Sequence, residues 1–193
     1  GRATYSFDDK YLLTATIRTD GSSVLAKGNQ WVTYPAVSIG WNMEREKFME
    51  GMKFVNSLKL RAGWGISSNA GINPYTTLGS LSSSFYNYGQ GSTALVNYVN
   101  GYTINTLPNP NLTWEKTRGL NIGIDFAVLN SRLTGSIEYY NTKTTDILLS
   151  KSLPRSNGAN SILDNVGETA SKGMELTLSS LNVKSKSSGG FTW

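Results

Sequence analysis

Apolar and polar residues exchange places at every second position through most of this chain. Leu120, Ile122, Ile124, Phe126 and Val128 hold one parity; Asn121, Gly123, Asp125 and Ala127 hold the other. Successive side chains of a β-strand point to opposite faces, so the pattern makes a ribbon with one greasy and one wet face. It recurs along the chain. It predicts strands over Arg2–Phe7, Tyr11–Thr19, Thr33–Asn42, Ser57–Ile66 and Leu112–Val128. A further strand starts near Arg132 and runs on through Ile147 and Leu149. Another covers Gly173–Ser179, and a last one begins at Phe191. Between Met43 and Val55 the alternation breaks. Phe48, Met52 and Val55 recur there at helical spacing among charged residues, which predicts a short amphipathic helix plugging the strand connection.

The connections alternate as well. Asp8-Asp9-Lys10 and Asn130-Ser131 read as tight turns, because Asp and Asn bond nearby backbone and tolerate turn geometry. Asp20–Gln30, Ser67–Asn111 and Pro154–Asp164 read as long polar loops. Outer-membrane barrels have short periplasmic turns and longer extracellular loops, which accounts for the alternation. A soluble antiparallel sheet accounts for the parity but not for the loops. The strands also meet the roughly 9–11 residues that a tilted crossing needs. The expected fold is therefore all-β: an antiparallel transmembrane β-barrel segment of about eight strands with long extracellular loops. Both ends of the 193 residues lie in strand-like alternation. Residues 1–193 are expected to be one partial barrel domain, an internal piece without plug or signal peptide.

Charge decides which face meets lipid. Lys59, Arg61, Asp125, Glu138 and Glu175 share the wet parity, and are the candidate lumen-facing residues. A lysine or arginine on the lipid side near the midplane would cost roughly 2–4 kcal/mol. Gly63, Gly65, Gly123 and Gly173 lie on the same side and leave room for something packed close inside. Trp31, Tyr34, Trp41, Trp64, Trp114 and Tyr139 supply candidates for an aromatic girdle. Packing inside a β-sandwich is the alternative for the same pattern.

Composition removes several chemistries. The chain has no cysteine and no histidine, so disulfides, thiolate sites and histidine bases or ligands are absent. Net charge is +5 with scattered lysines, and no basic stripe suits nucleic acid. No enzyme activity and no cofactor are expected. Asp164, Asn165 and Glu168 offer oxygen ligands for calcium, but at no EF-hand spacing. Asp125 and Glu138 sit on facing strands as a conceivable acid and base, with nothing to fix their separation. Lumen-facing charge is the plainer reading. The best recognition candidates are Tyr75, Phe85, Tyr86, Tyr88, Tyr98 and Tyr102, set among Ser, Asn and Gly in the longest loop. Such rings offer broad faces with polar tips to sugars or proteins. Self-packing of the loop explains them equally well.

Ordered motifs carry a family likeness. Tyr11-Leu12-Leu13-Thr14-Ala15-Thr16-Ile17-Arg18-Thr19-Asp20-Gly21-Ser22-Ser23 is followed by Tyr34-Pro35-Ala36-Val37-Ser38-Ile39-Gly40-Trp41 and Leu58-Lys59-Leu60-Arg61-Ala62-Gly63-Trp64-Gly65. Then come Pro108-Asn109-Pro110-Asn111-Leu112-Thr113-Trp114-Glu115, Asn121 to Phe126, Gly135 to Asn141, Asn165-Val166-Gly167 and Lys172 to Glu175. The set resembles SusC/RagA-type TonB-linked outer-membrane proteins. It departs at Val24-Leu25-Ala26-Lys27, where an aromatic and a bulky basic residue are more usual. The resemblance implies a barrel of about 22 strands with a plugged lumen. It also implies import of glycans or peptides under a SusD-type surface lipoprotein, with the TonB complex pulling on a plug outside this chain. A soluble β-rich adhesin or carbohydrate-binding module is the competing function. A barrel-borne hydrolase is weakened by the missing histidine.

Overall fold

A computed structural model describes residues 1–87 and 98–182. Its strands are β1 (Arg2–Phe7), β2 (Tyr11–Gly21), β3 (Trp31–Asn42), β4 (Val55–Asn69), β5 (Ser80–Asn87), β6 (Tyr98–Leu107), β7 (Glu115–Val128), β8 (Leu133–Ser152) and β9 (Ala159–Ser180). They form one curled, nine-stranded sheet in the order β1-β2-β3-β4-β7-β8-β9-β6-β5. Neighbours from β1 through β9 pair antiparallel, which suits hairpin connections.

Register shows why the parity runs unbroken across the wall. Leu13, Ile39, Ala62, Ile122, Tyr139 and Met174 lie side by side on successive strands. One position away on the chain, Gly40, Arg61, Gly123, Glu138 and Glu175 form the matching row on the opposite face. Among the described residues no second layer covers the apolar rows: Ile122 is 41% exposed and Leu176 65%. A sandwich would bury these side chains against a facing sheet about 10 Å away. Burial is instead concentrated at one end, where Leu25, Leu112 and Trp114 form the core, flanked by Val32, Ala70, Ile72, Leu148 and Leu163.

The short turns gather at the other end. Asp8 and Asp9 adopt left-handed φ of 52° and 50°, as do Leu129, Asn130 and Ser131 between β7 and β8. The turns are stitched to their neighbours: Asn42 Nδ2 donates to the Asp9 carbonyl at 2.7 Å, and the Ser131 amide to Asn56 Oδ1 at 2.9 Å.

Three expectations need correction. Residues 43–55 form no amphipathic helix. Single 3₁₀ turns occupy Met43–Arg45 and Lys47–Met49, with Glu46 extended between them at φ −83°, ψ 147°. The carboxylates explain the break: Glu44 accepts the Leu58 amide at 3.1 Å, and Glu46 is drawn back to Tyr11 and Trp41. The region 67–111 is not one loop, because it contains the β5–β6 hairpin. Nor is Pro154–Asp164 a long excursion. A single 3₁₀ turn at Arg155–Asn157 joins β8 and β9, which have 20 and 22 residues. About 9–11 residues cross a bilayer, so this pair projects well past it. The hairpin is fixed to the projection by parallel pairing of β6 with β9, Ile104 opposite Ala159. The strand expected at Phe191 lies outside the described residues.

Candidate functional site

The polar face of the wall centres on Arg61. Its Nε donates to Asp125 Oδ2 at 3.0 Å, and its Nη1 to Glu138 Oε1 at 2.8 Å and Asn121 Oδ1 at 3.3 Å. Reaching Glu138 from β4 requires crossing β7, and Gly123 makes the crossing possible. A Cβ at Gly123 would sit 2.9 Å from the guanidinium carbon. Asp125 and Glu138 thus share one cation and are not a free acid and base. Gly123 and Asn121 escaped the sequence reading as site residues; the signal was a glycine in register between an arginine and a glutamate. Lys59 stands opposite Asp125, and Glu175 opposite Glu138.

Removing Arg61 leaves two carboxylates without their counter-charge. The group is about a third exposed, so solvent screening cuts the several kcal/mol expected of a buried network. Arg61→Ala is expected to cost the parent barrel roughly 1–2 kcal/mol in urea unfolding. Combining it with Asp125→Asn and Glu138→Gln is expected to recover most of that loss. A combined variant as unstable as Arg61→Ala would show that the arginine acts through packing alone.

Aromatic rings mark the two ends of the apolar face. At the short-turn end Phe7, Tyr11 and Trp41 stack in sequence, with centroids 6.4 and 6.3 Å apart, and Phe48 meets Trp41 edge-on. Trp31 closes the opposite end of β3 and is exposed. At about 3.3 Å per residue and about 40° of tilt, Trp31 and Trp41 stand about 25 Å apart in height, matching an outer-membrane apolar band.

Glu46 holds the lower belt. It accepts from Tyr11 Oη at 2.7 Å and Trp41 Nε1 at 3.2 Å, with Lys10 Nζ 3.7 Å away. The Tyr11 hydrogen bond, then that from Trp41, lowers its pKa below the ordinary glutamate value. A lowered folded value means the contact stabilises fully above the unfolded pKa and is lost as pH falls through the folded one. Trp41 emission in the parent barrel, read against Trp41→Phe, is expected to shift with a midpoint below the free glutamate range. A midpoint at or above that range would remove the contact.

The long-connection end is built as a cap. Asn109 Nδ2 donates to the Leu163 carbonyl at 2.9 Å, and its Oδ1 accepts the Asn111 amide at 3.0 Å. Asn165 Oδ1 accepts from the Thr113 amide at 2.9 Å, while Nδ2 donates to the Thr113 and Asp146 carbonyls at 3.0 and 2.7 Å. Trp114 Nε1 donates to the Asn29 carbonyl at 3.0 Å. Asp164 is engaged here with Asn109, whereas Glu168 pairs with Lys143 at 2.9 Å. The three oxygen ligands considered for calcium are therefore not gathered.

Above the cap stands the aromatic hairpin. Leu81, Phe85, Tyr102 and Ile104 share one of its faces by register. Phe85 is 68% exposed and Tyr102 71%, and Tyr75 and Leu78 at its base are exposed too. Tyr86 takes the opposite face and lies over Gly101, where a Cβ would overlap the ring. Only the backbone of Tyr98 is described, opening β6, and Tyr88 lies outside the described residues.

Residues 1–193 all match the family described as TonB dependent receptor-like, beta-barrel. The chain belongs to the TonB-dependent receptor β-barrel family. It is 39% identical over its whole length to TonB-dependent receptor P26 of Formosa agariphila, covering 19% of that protein. It is 37% identical to TonB-dependent receptor SusC of Bacteroides thetaiotaomicron, again over the whole chain and 19% of the relative. The RagAB peptide importer in its closed-closed state superposes with a TM-score of 0.79 at 25% identity, over 96% of this chain and 19% of that one. The siderophore receptor PirA of Pseudomonas aeruginosa shares the fold alone, at TM-score 0.58 and 17% identity. The chain thus spans about a fifth of its relatives. The TonB-dependent receptor wall lies in an outer membrane. Its short-turn end is periplasmic, and its cap and hairpin are extracellular.

Proposed function

We propose that the parent protein imports a nutrient oligomer, glycan or peptide, across the outer membrane at the expense of TonB-transmitted energy. This chain supplies part of its wall and outer loops. The observation that carries the reading is the two-sided wall in a chain that matches the receptor barrel along its whole length. Lys59, Arg61, Asp125, Glu138 and Glu175 face the lumen, against a plug from elsewhere in the polypeptide. The likeness to a peptide importer supports oligomeric cargo. Uptake of labelled oligosaccharides and oligopeptides by cells with and without the parent gene tests it. Uptake that depends on the gene but survives loss of TonB would overturn energy coupling.

The hairpin meets the cargo or a SusD-type surface lipoprotein. Tyr75, Phe85, Tyr86, Tyr88, Tyr98 and Tyr102 form that contact region. An apolar face held far above the bilayer gains nothing from lipid, and exposed patches of this kind mark interaction sites. Phe85→Ala with Tyr102→Ala is expected to weaken uptake or lid association about tenfold, the loss of one modest hot spot. Normal uptake and normal co-purification of the lid would exclude the hairpin from both roles, as would the same result for Tyr86→Ala with Tyr88→Ala.

A further inference from the structure

Three adjacent strands in the interior of the sheet carry cations on the outward face. Arg118 on β7 stands directly opposite Lys143 on β8, which stands opposite Ala170 on β9. The next outward-facing row toward the periplasm is Leu120, Asn141 and Lys172, and the one after it Ile122, Tyr139 and Met174. A basic residue therefore follows the apolar run of each strand. Arg118 and Lys143 lie about ten residues from the short-turn ends of β7 and β8 at Val128 and Leu133, the length of a tilted crossing. Lys172 lies about eight from the matching end of β9 at Ser180. The cluster thus stands at the headgroup level of the outer leaflet.

This arrangement works against the bare wall, because like charges directly opposite on a sheet repel. Arg118 and Lys172 are exposed and enter no ion pair among the described residues. Lys143 meets Glu168 at 2.9 Å, which leaves the cluster net positive. Cations at the periplasmic end are treated differently: Lys10 is paired with Asp8 and Glu46, and Arg45 with Asp9. We propose that Arg118, Lys143 and Lys172 bind a phosphate of lipid A, the phosphorylated glycolipid of the outer leaflet. Charge complementarity selects an anion, and the guanidinium fork of Arg118 suits a phosphate held by two parallel hydrogen bonds. Continuity with the apolar face selects a lipid-borne phosphate: acyl chains lie against Leu120, Tyr139 and Met174 while the headgroup meets the cations above. Asn141, between Arg118 and Lys172, offers an uncharged amide to the sugar oxygens. The site requires the outer-membrane placement of the wall, but neither the cargo nor the energy coupling proposed above.

Arg118→Gln with Lys172→Gln tests the site. The full-length parent protein is placed in phosphatidylcholine nanodiscs doped with lipid A, with dephosphorylated lipid A or with phosphatidylglycerol, and lipid retention is read by native mass spectrometry. The unaltered protein is expected to retain lipid A in preference to the other two. The double variant is expected to retain it about tenfold less, the loss of two cations near a charged headgroup. Lys151→Gln with Arg155→Gln removes as much charge from the β8–β9 projection above the bilayer, and is expected to change nothing. Heat-modifiable gel mobility confirms that each barrel is folded. Urea unfolding from lipid-A-free phosphatidylcholine vesicles separates binding from structure: the double variant is expected to be no less stable there, because it relieves a repulsion, and added lipid A is expected to stabilise only the unaltered protein. Equal retention by the double variant, an equal loss in the control pair, or equal binding of dephosphorylated lipid A or phosphatidylglycerol would each overturn the site. So would a loss of stability in the lipid-A-free vesicles, which would make these side chains structural.

Discussion

Leu112→Ala is expected to loosen the extracellular cap while the membrane wall stays intact. Leu112 is 0% exposed and sits where the 22–30, 70–72 and 108–114 segments meet β8 and β9. Truncation leaves a cavity that its neighbours cannot close without moving several hydrogen-bonded segments, so the cost falls within the range of about 2–5 kcal/mol for such changes. The loss is local. The Asn109, Asn111 and Asn165 bonds and the Trp114 indole bond all converge on the same strip of chain. The wall is held by its own ladders and needs none of them. Hydrogen exchange of the parent protein is therefore expected to show faster exchange at 108–114 and 159–165, with 120–128 unchanged. The hairpin should also become sensitive to protease, since β6 loses the support beneath its pairing with β9. Unchanged protection at 108–114 would mean that the cap stands without its apolar centre. Asn165→Ala offers a smaller version of the same result, because it removes three hydrogen bonds and no apolar volume.

The wall was legible in the sequence because two solvents act on alternate residues. Ile122 and Arg61 cannot exchange faces, so their parity survives in the bare chain. The cap was not legible, because its members are close only in space. Leu25 lies in the loop before β3, and its partners Leu112 and Trp114 precede β7. Leu25 falls within the short stretch that departs from the family pattern, and it turns out to be 2% exposed. A substitution that looked like loop variation is core packing. The hairpin escaped notice for a different reason. Ser82, Ser83, Ser84 and Gly101 dilute its alternation, so Phe85 and Tyr102 read as scattered rings in a polar loop and their aliphatic neighbours Leu81 and Ile104 go unremarked. The upper half of β8 is legible through Ile147 and Leu149 despite the register shift near Asp146, whose φ is 60°, whereas the start of β9 at Ala159 reads as part of the 154–164 loop. The aborted helix at 43–55 shows the limit of spacing alone. Phe48 and Met52 recur as a helix would place them, yet Glu44 and Glu46 satisfy donors on neighbouring strands rather than a helical turn. Of the recognition residues, aromatic identity and loop position could be read from sequence. Their division between two hairpin faces required the pairing of β5 with β6.

Ile122→Arg is expected to cost the parent barrel about 2–4 kcal/mol when its folding into phospholipid vesicles is followed in urea. Ile122 lies near the middle of β7 on the apolar face, flanked in register by Ala62 and Tyr139. Among the described residues no carboxylate shares that face nearby, and the guanidinium is too far from either aromatic belt to reach water without thinning the bilayer. The penalty depends on depth rather than on β7 itself. Leu129→Arg, in the turn at the end of the same strand, is expected to cost only about 0–1 kcal/mol, because its side chain already stands at the water boundary. The pair separates lipid contact from ordinary surface exposure, which both residues show in the isolated wall. A bilayer assigns them different solvents, and a soluble sheet assigns them the same one. Equal costs would place Ile122 in water and take the membrane away from this face of the protein.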